Sequence, residues 1–131
     1  MSETPKIYIL NLNMHPARLE AMQNHLNGLD LEWERVEAID ALETSEDELN
    51  KYTDSAGPIQ RMGSGARACT VGHFKIWERF LDMGKPAAFI LEDDIKVSRH
   101  FFAFIEEASR LVDDVDVLNF NRQNSRRAQK N

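Results

Sequence analysis

The chain has 131 residues, 42% hydrophobic and 29% charged, with a formal net charge of −6. That is room for one domain with one core, a composition outside the disordered range, and a charge that argues against nucleic-acid binding. No stretch nears the roughly 20 apolar residues of a membrane span, one cysteine rules out an intrachain disulfide, and Met1-Ser2-Glu3-Thr4-Pro5-Lys6 lacks the order of an export signal, so a cytoplasmic protein is expected.

Ile7-Tyr8-Ile9-Leu10-Asn11 is a short β-rich run and predicts the first strand. Pro16 suits the first turn of a helix, which Ala17 to Leu26 continue with Leu19, Met22 and Leu26 on one side; Asn27-Gly28 stop it. Asn11 and Asn13 follow the strand, and Arg18 lies in the first turns of the helix. Backbone N–H groups there, helped by an arginine, could cradle a diphosphate; asparagines after strands are also common turn formers. Residues 31–38 alternate in part and predict a second strand, ending at Ile39-Asp40. Strand, helix, strand makes a parallel crossover the default. Asp40 stands where an acid can accept a hydrogen bond from a ribose hydroxyl, or simply form a turn.

Ser45 with Glu48 resembles a capping box and predicts a short acidic helix within Thr44 to Tyr52. Lys51 to Gly65 reads as a long loop. From Ala66 to Met83 the pattern is helical, with Gly84 as its stop. Cys69, Gly72, His73, Ile76, Trp77, Phe80 and Leu81 share the predicted core face. There Cys69 reads as a small core hydrophobe, and His73 as a hydrogen-bonded core residue unless it serves a site.

Ala87-Ala88-Phe89-Ile90-Leu91 then runs unbroken into Glu92-Asp93-Asp94. Such a run suits a parallel strand buried on both faces, and open α/β sheets bind ligands beyond the carboxyl ends of their strands. Three adjacent carboxylates repel unless a cation or several donors neutralise them. A hard divalent ion sharing its shell with phosphate oxygens would do so; an acidic turn that ends the strand is the plainer reading. Ser98 to Val112 predict a helix with Phe101, Phe104, Ile105, Ala108, Leu111 and Val112 as its apolar stripe, and Val115 to Phe120 alternate and predict a fourth strand. Residues 121–131 hold Arg122, Arg126, Arg127 and Lys130 and no acid, leaving 12 basic against 22 acidic side chains in residues 1–120. The expectation is one domain over 1–120 and a frayed basic tail over 121–131, which could touch anionic lipid headgroups.

Four of these segments, in this order, resemble glycosyltransferase family 25, which includes bacterial lipooligosaccharide galactosyltransferases and collagen galactosyltransferases. Ile7-Tyr8-Ile9-Leu10-Asn11-Leu12-Asn13 with Arg18 is similar to the family's opening strand and Asn-Leu-Asp…Arg signature. Arg35-Val36-Glu37-Ala38-Ile39-Asp40 resembles its Arg-Val-x-Ala-x-Asp segment, and Cys69 to Trp77 its Cys-x-x-Ser-His-x-x-x-Trp helix. Ile90-Leu91-Glu92-Asp93-Asp94 matches its acidic metal motif. Asn13 and Gly72 depart from the family's usual Asp and Ser.

The resemblance implies a GT-A-like, Rossmann-like three-layer α/β/α fold with a mainly parallel sheet, truncated to the nucleotide-binding half. It implies inverting transfer of a hexose, galactose foremost, from a UDP-sugar to a lipooligosaccharide or lipopolysaccharide acceptor at the cytoplasmic membrane face. Glu92 and Asp94 would hold Mn²⁺ or Mg²⁺ and serve catalysis; Asn11, Asn13, Arg18, Asp40, His73 and Asp93 would bind the nucleotide sugar. An inactive nucleotide-sugar-binding module is the alternative, since the family's acceptor residues and base lie beyond the fourth strand.

Overall fold

The computed structural model describes residues 5–28, 32–54, 63–96 and 99–120. The first four residues, the predicted strand start at Leu31, much of the Lys51–Gly65 loop, the predicted helix start at Ser98 and the basic tail 121–131 lie outside the described residues. In order the elements are β1 (Lys6–Asn11), α1 (Pro16–Leu26), β2 (Trp33–Glu37), α2 (Glu46–Asn50), α3 (Ser64–Met83), β3 (Ala88–Glu92) and α4 (Phe101–Ser109).

The three strands form one parallel sheet in the order β2-β1-β3. All six residues of β1 are buried, because it is flanked by a strand on each side and covered on both faces. Ile7 and Ile9 pack with Met22 and Leu26 of α1, Leu91, and Phe101 and Ile105 of α4. Tyr8 and Leu10 point the other way, onto Ile76 and Phe80 of α3. Alternate residues of one strand thus feed two cores, each fully buried aliphatic contributing roughly 1.5–3 kcal/mol. The fold is the expected three-layer α/β/α, Rossmann-like arrangement. The chain leaves β1 for β2 over one face and returns to β3 over the other, as crossovers of one hand running in opposite directions require.

Local signals explain the element ends. Pro16 begins α1; the Ser45 hydroxyl accepts the Glu48 N–H at 3.2 Å to cap α2; Gly84, at φ +65°, closes α3 in the left-handed region. Gly72 lets α3 sit close to β1, since a Cβ there would meet a Leu10 methyl at 3.3 Å. Arg67, buried at the start of α3, donates to Glu46, Asn50 and Thr53 and so fastens α2 to α3.

Several expectations are corrected. The doubly buried strand is β1, whereas β3 lies at the end of the described sheet with most of its residues half-buried. Val115 to Phe120 form no strand. No strand lies beside β3 on that side among the described residues, so the segment stays in irregular backbone, with Val117 73% exposed and Phe120 edge-on to Phe104 at 4.4 Å. The helix expected to run to Val112 ends at Ser109, where the approaching Asp113, Asp114 and Asp116 oppose the helix dipole. The inner face of α3 is Ala68, Val71, Gly72 and Ile76. Its predicted stripe is wider than a three-stranded sheet can cover, so Cys69 is exposed rather than core, and Trp77 and Leu81 are exposed as well.

Candidate functional site

All three strands end on the same side, at Asn11, Glu37 and Glu92, and the sequence-predicted site residues gather there. Asn11 is 2% exposed, and its side-chain hydrogen bonds are made within the protein. Its Nδ2 donates to the His15 carbonyl at 3.0 Å and to Asp93 Oδ2 at 2.7 Å. Its Oδ1 accepts from Arg35 Nε at 3.0 Å. The second Arg35 nitrogen donates to the Asn11 carbonyl at 3.1 Å and to Asn13 Oδ1 at 2.7 Å, and Asn13 in turn donates to Glu37. Arg18 stands 3.6 Å from the other oxygen of Asp93. Asn11 therefore positions the ends of β1 and β3, with Asp93, Arg35 and Asn13 drawn into the same network.

Beside this network lies a cleft of about 660 Å³ beyond the ends of β1 and β2, lined among others by Asn13, Met14, Asp40, Thr44 and Lys75. Asp40 shapes its wall: its carboxylate accepts the Leu42 N–H at 2.9 Å and its carbonyl the Thr44 hydroxyl at 2.6 Å. The Lys75 ammonium, 4.0 Å from Glu48, brings positive charge to a rim otherwise acidic at Glu37, Asp40 and Glu43.

The other two acids of the cluster face away from the Asn11 network. Glu92 Oε1 lies 3.5 Å from His73 Nε2 and 3.6 Å from Cys69 Sγ, and Asp94 is exposed. Burial, and then the negative charges of Glu92 and Asp94, push the Cys69 thiol above the ordinary thiol range. Both carboxylates therefore act on one small region. His73 is half-buried at that corner, where it meets a carboxylate as well as the helix's apolar face.

Sequence reasoning left Arg35, Lys75 and Cys69 without a role in the site. Arg35 carried a usable signal: a guanidinium inside a strand, opposite Ile9 in the register, must find its partners at the strand's end. Lys75 carried none, because its place on the cleft depends on how α3 crosses the sheet.

The sequence profile described as glycosyltransferase family 25 (LPS biosynthesis protein) matches residues 4–130. A "Glycosyltransferase 25 family member" of Aedes aegypti is 30% identical over 127 residues, which is 89% of this chain and 21% of that protein. Mouse "Procollagen galactosyltransferase 2" is 28% identical over 121 residues, 85% of this chain and 18% of its own length. The human "Inactive glycosyltransferase 25 family member 3" is 26% identical over 119 residues, 85% and 19% respectively. The chain thus spans about a fifth of the length of the curated relatives it matches.

Proposed function

The chain belongs to glycosyltransferase family 25, and on that premise we propose that it binds a UDP-sugar, with UDP-galactose the first choice, at the carboxyl ends of β1, β2 and β3 and serves transfer of the hexose with inversion. The observation that carries this reading is the division of the acid cluster: Asp93 is held by Asn11 and Arg18, while Asp94 is exposed and Glu92 stays outside that network, at the same end of the sheet as the cleft beyond β1 and β2.

An all-oxygen pair at a strand end fits a hard divalent ion, so Glu92 and Asp94 are the residues that would hold Mn²⁺ or Mg²⁺. Such an ion, when bound, offsets charge on a diphosphate leaving group. Arg18 and the opening turn of α1, whose N-cap residue His15 makes no side-chain capping bond, offer positive charge to the same phosphates. Asn13 and Asp40 line the cleft where a ribose or base would lie, and Lys75 supplies a cation to an anionic ligand there. The lipopolysaccharide description of the family supports a lipooligosaccharide acceptor at the cytoplasmic membrane face. The procollagen name of the mouse relative makes a procollagen-type peptide the rival acceptor. No described helix is long and apolar enough to cross a membrane.

The test is thermal. Mn²⁺ with UDP should raise the melting temperature more than the sum of the two alone, because diphosphate oxygens complete a shell that two carboxylates leave open. Strictly additive shifts would refute a shared site. The likeness to a relative named inactive favours a second reading, a nucleotide-sugar-binding module without turnover. Release of UDP from UDP-galactose in the presence of acceptor distinguishes the enzyme from the module.

A further inference from the structure

Cys69 and His73 stand four residues apart on α3, the spacing that sets two side chains over one another on a single helix face, and Glu92 reaches the same point from the end of β3. The ligating atoms of the three, Cys69 Sγ, His73 Nε2 and Glu92 Oε1, all lie within 4.8 Å of one another. The two separations involving Glu92 are 3.6 Å to sulfur and 3.5 Å to nitrogen. The nitrogen separation is long for a hydrogen bond, whose usual length is nearer 2.9–3.0 Å for N–H···O, while the sulfur separation is within the range of a thiol hydrogen bond. Both separations to Glu92 also equal two edges of a tetrahedron around zinc. Zn–S near 2.3 Å with Zn–N and Zn–O near 2.0–2.2 Å gives ligand-to-ligand edges of about 3.4–3.6 Å.

We propose that Cys69, His73 and Glu92 form a three-ligand site for a thiophilic divalent transition-metal ion, zinc foremost, at the α3–β3 corner. The donor set is sulfur, imidazole and carboxylate, which selects zinc-class ions over magnesium, calcium and manganese. It therefore differs in kind from the oxygen-only pair proposed above, although Glu92 contributes to both. Three protein ligands with a fourth position left to water or an anion is the open form of such sites rather than the closed structural form. Gly72, beside His73, is where α3 comes close to β1, since a Cβ there would meet a Leu10 methyl at 3.3 Å.

The site does not rest on the sugar-transfer reading, and its test is spectroscopic. Cobalt(II) titrated into the metal-free full chain should bind one ion per chain and give the intense visible bands of a tetrahedral ion together with a thiolate-to-cobalt charge-transfer band. Cys69→Ser should abolish the charge-transfer band, and Cys69→Ser and His73→Gln should each weaken zinc affinity by more than about 100-fold, beyond the range typical of losing an outer-shell partner. Both side chains lie outside the buried core, and the melting temperature of each metal-free variant, measured first, checks that it is folded. A second readout needs no variant: stoichiometric zinc should protect Cys69 of the native chain from alkylation, and manganese should not. A weak octahedral spectrum, unchanged zinc affinity in Cys69→Ser, or unprotected Cys69 would overturn the site. None of those results touches the oxygen-ligated reading, which Asp94→Ala tests alone.

Discussion

Asp93 and its flanking acids, Glu92 and Asp94, are consecutive in the chain and alike in chemistry, yet the fold treats them oppositely. Leu10 of β1 pairs with Glu92 of β3, so one step beyond the last pair Asn11 faces Asp93. There Asp93 receives a buried amide and the Arg18 guanidinium. Its two neighbours lean elsewhere, Glu92 toward α3 and Asp94 toward solvent. Parallel register alone thus turns a run of three equivalent carboxylates into one structural group and two open ones. The lesson is that an acidic cluster at a strand end must be read residue by residue against the neighbouring strand.

The difference can be broken most severely from the structural side. Asn11→Ala removes the partner of Arg35 and Asp93 at once, and each buried polar group left unsatisfied costs about 1–3 kcal/mol. A loss of about 2–5 kcal/mol in chemical denaturation is expected. Asp93→Ala keeps Asn11 but deprives it of one acceptor and frees Arg18, which is largely exposed; about 1–3 kcal/mol is expected by the same measurement. Glu92→Gln and Asp94→Asn, by contrast, should stay within about 0.5 kcal/mol of the native chain, since neither carboxylate holds the fold together. A large destabilisation by either would erase the distinction drawn here.

The smallest effect concerns reactivity. The Glu92 charge helps hold the Cys69 thiol in its neutral form. Glu92→Gln should therefore lower the thiol's pKa, raise the thiolate fraction at mildly alkaline pH, and quicken alkylation of Cys69 in metal-free protein. An unchanged rate would mean that the Glu92 charge has no hold on the thiol.

Much of this architecture was legible in the sequence. The Pro16 start, the Ser45 cap, the Gly84 stop and the apolar runs of β1 and β3 act locally, so reading them needs no tertiary information. Val115 to Phe120 misled because alternation reports a half-buried face but not a strand partner. The α3 stripe misled because periodicity gives the width of an apolar face and not the width of the sheet beneath it. The site divides likewise. That Asn11, Asn13, Arg18, Asp40, His73 and the three acids are gathered at one end of the sheet follows from strand order, which the motifs anticipated. That Asn11 is a buried support, that Arg35 braces it and that Cys69 meets Glu92 depend on register and helix placement, which a single chain of letters does not encode locally.

The central claim is that Glu92 and Asp94 are open so that a divalent ion and a nucleotide diphosphate can share them. Its most direct test is the affinity of UDP for the native chain and for Asp94→Ala, each titrated calorimetrically with and without Mn²⁺. The account predicts that Mn²⁺ tightens UDP binding to the native chain at least tenfold and that this gain disappears in Asp94→Ala, with the variant's fold and stability intact. An equal gain in both proteins, or no gain in the native chain, would contradict it.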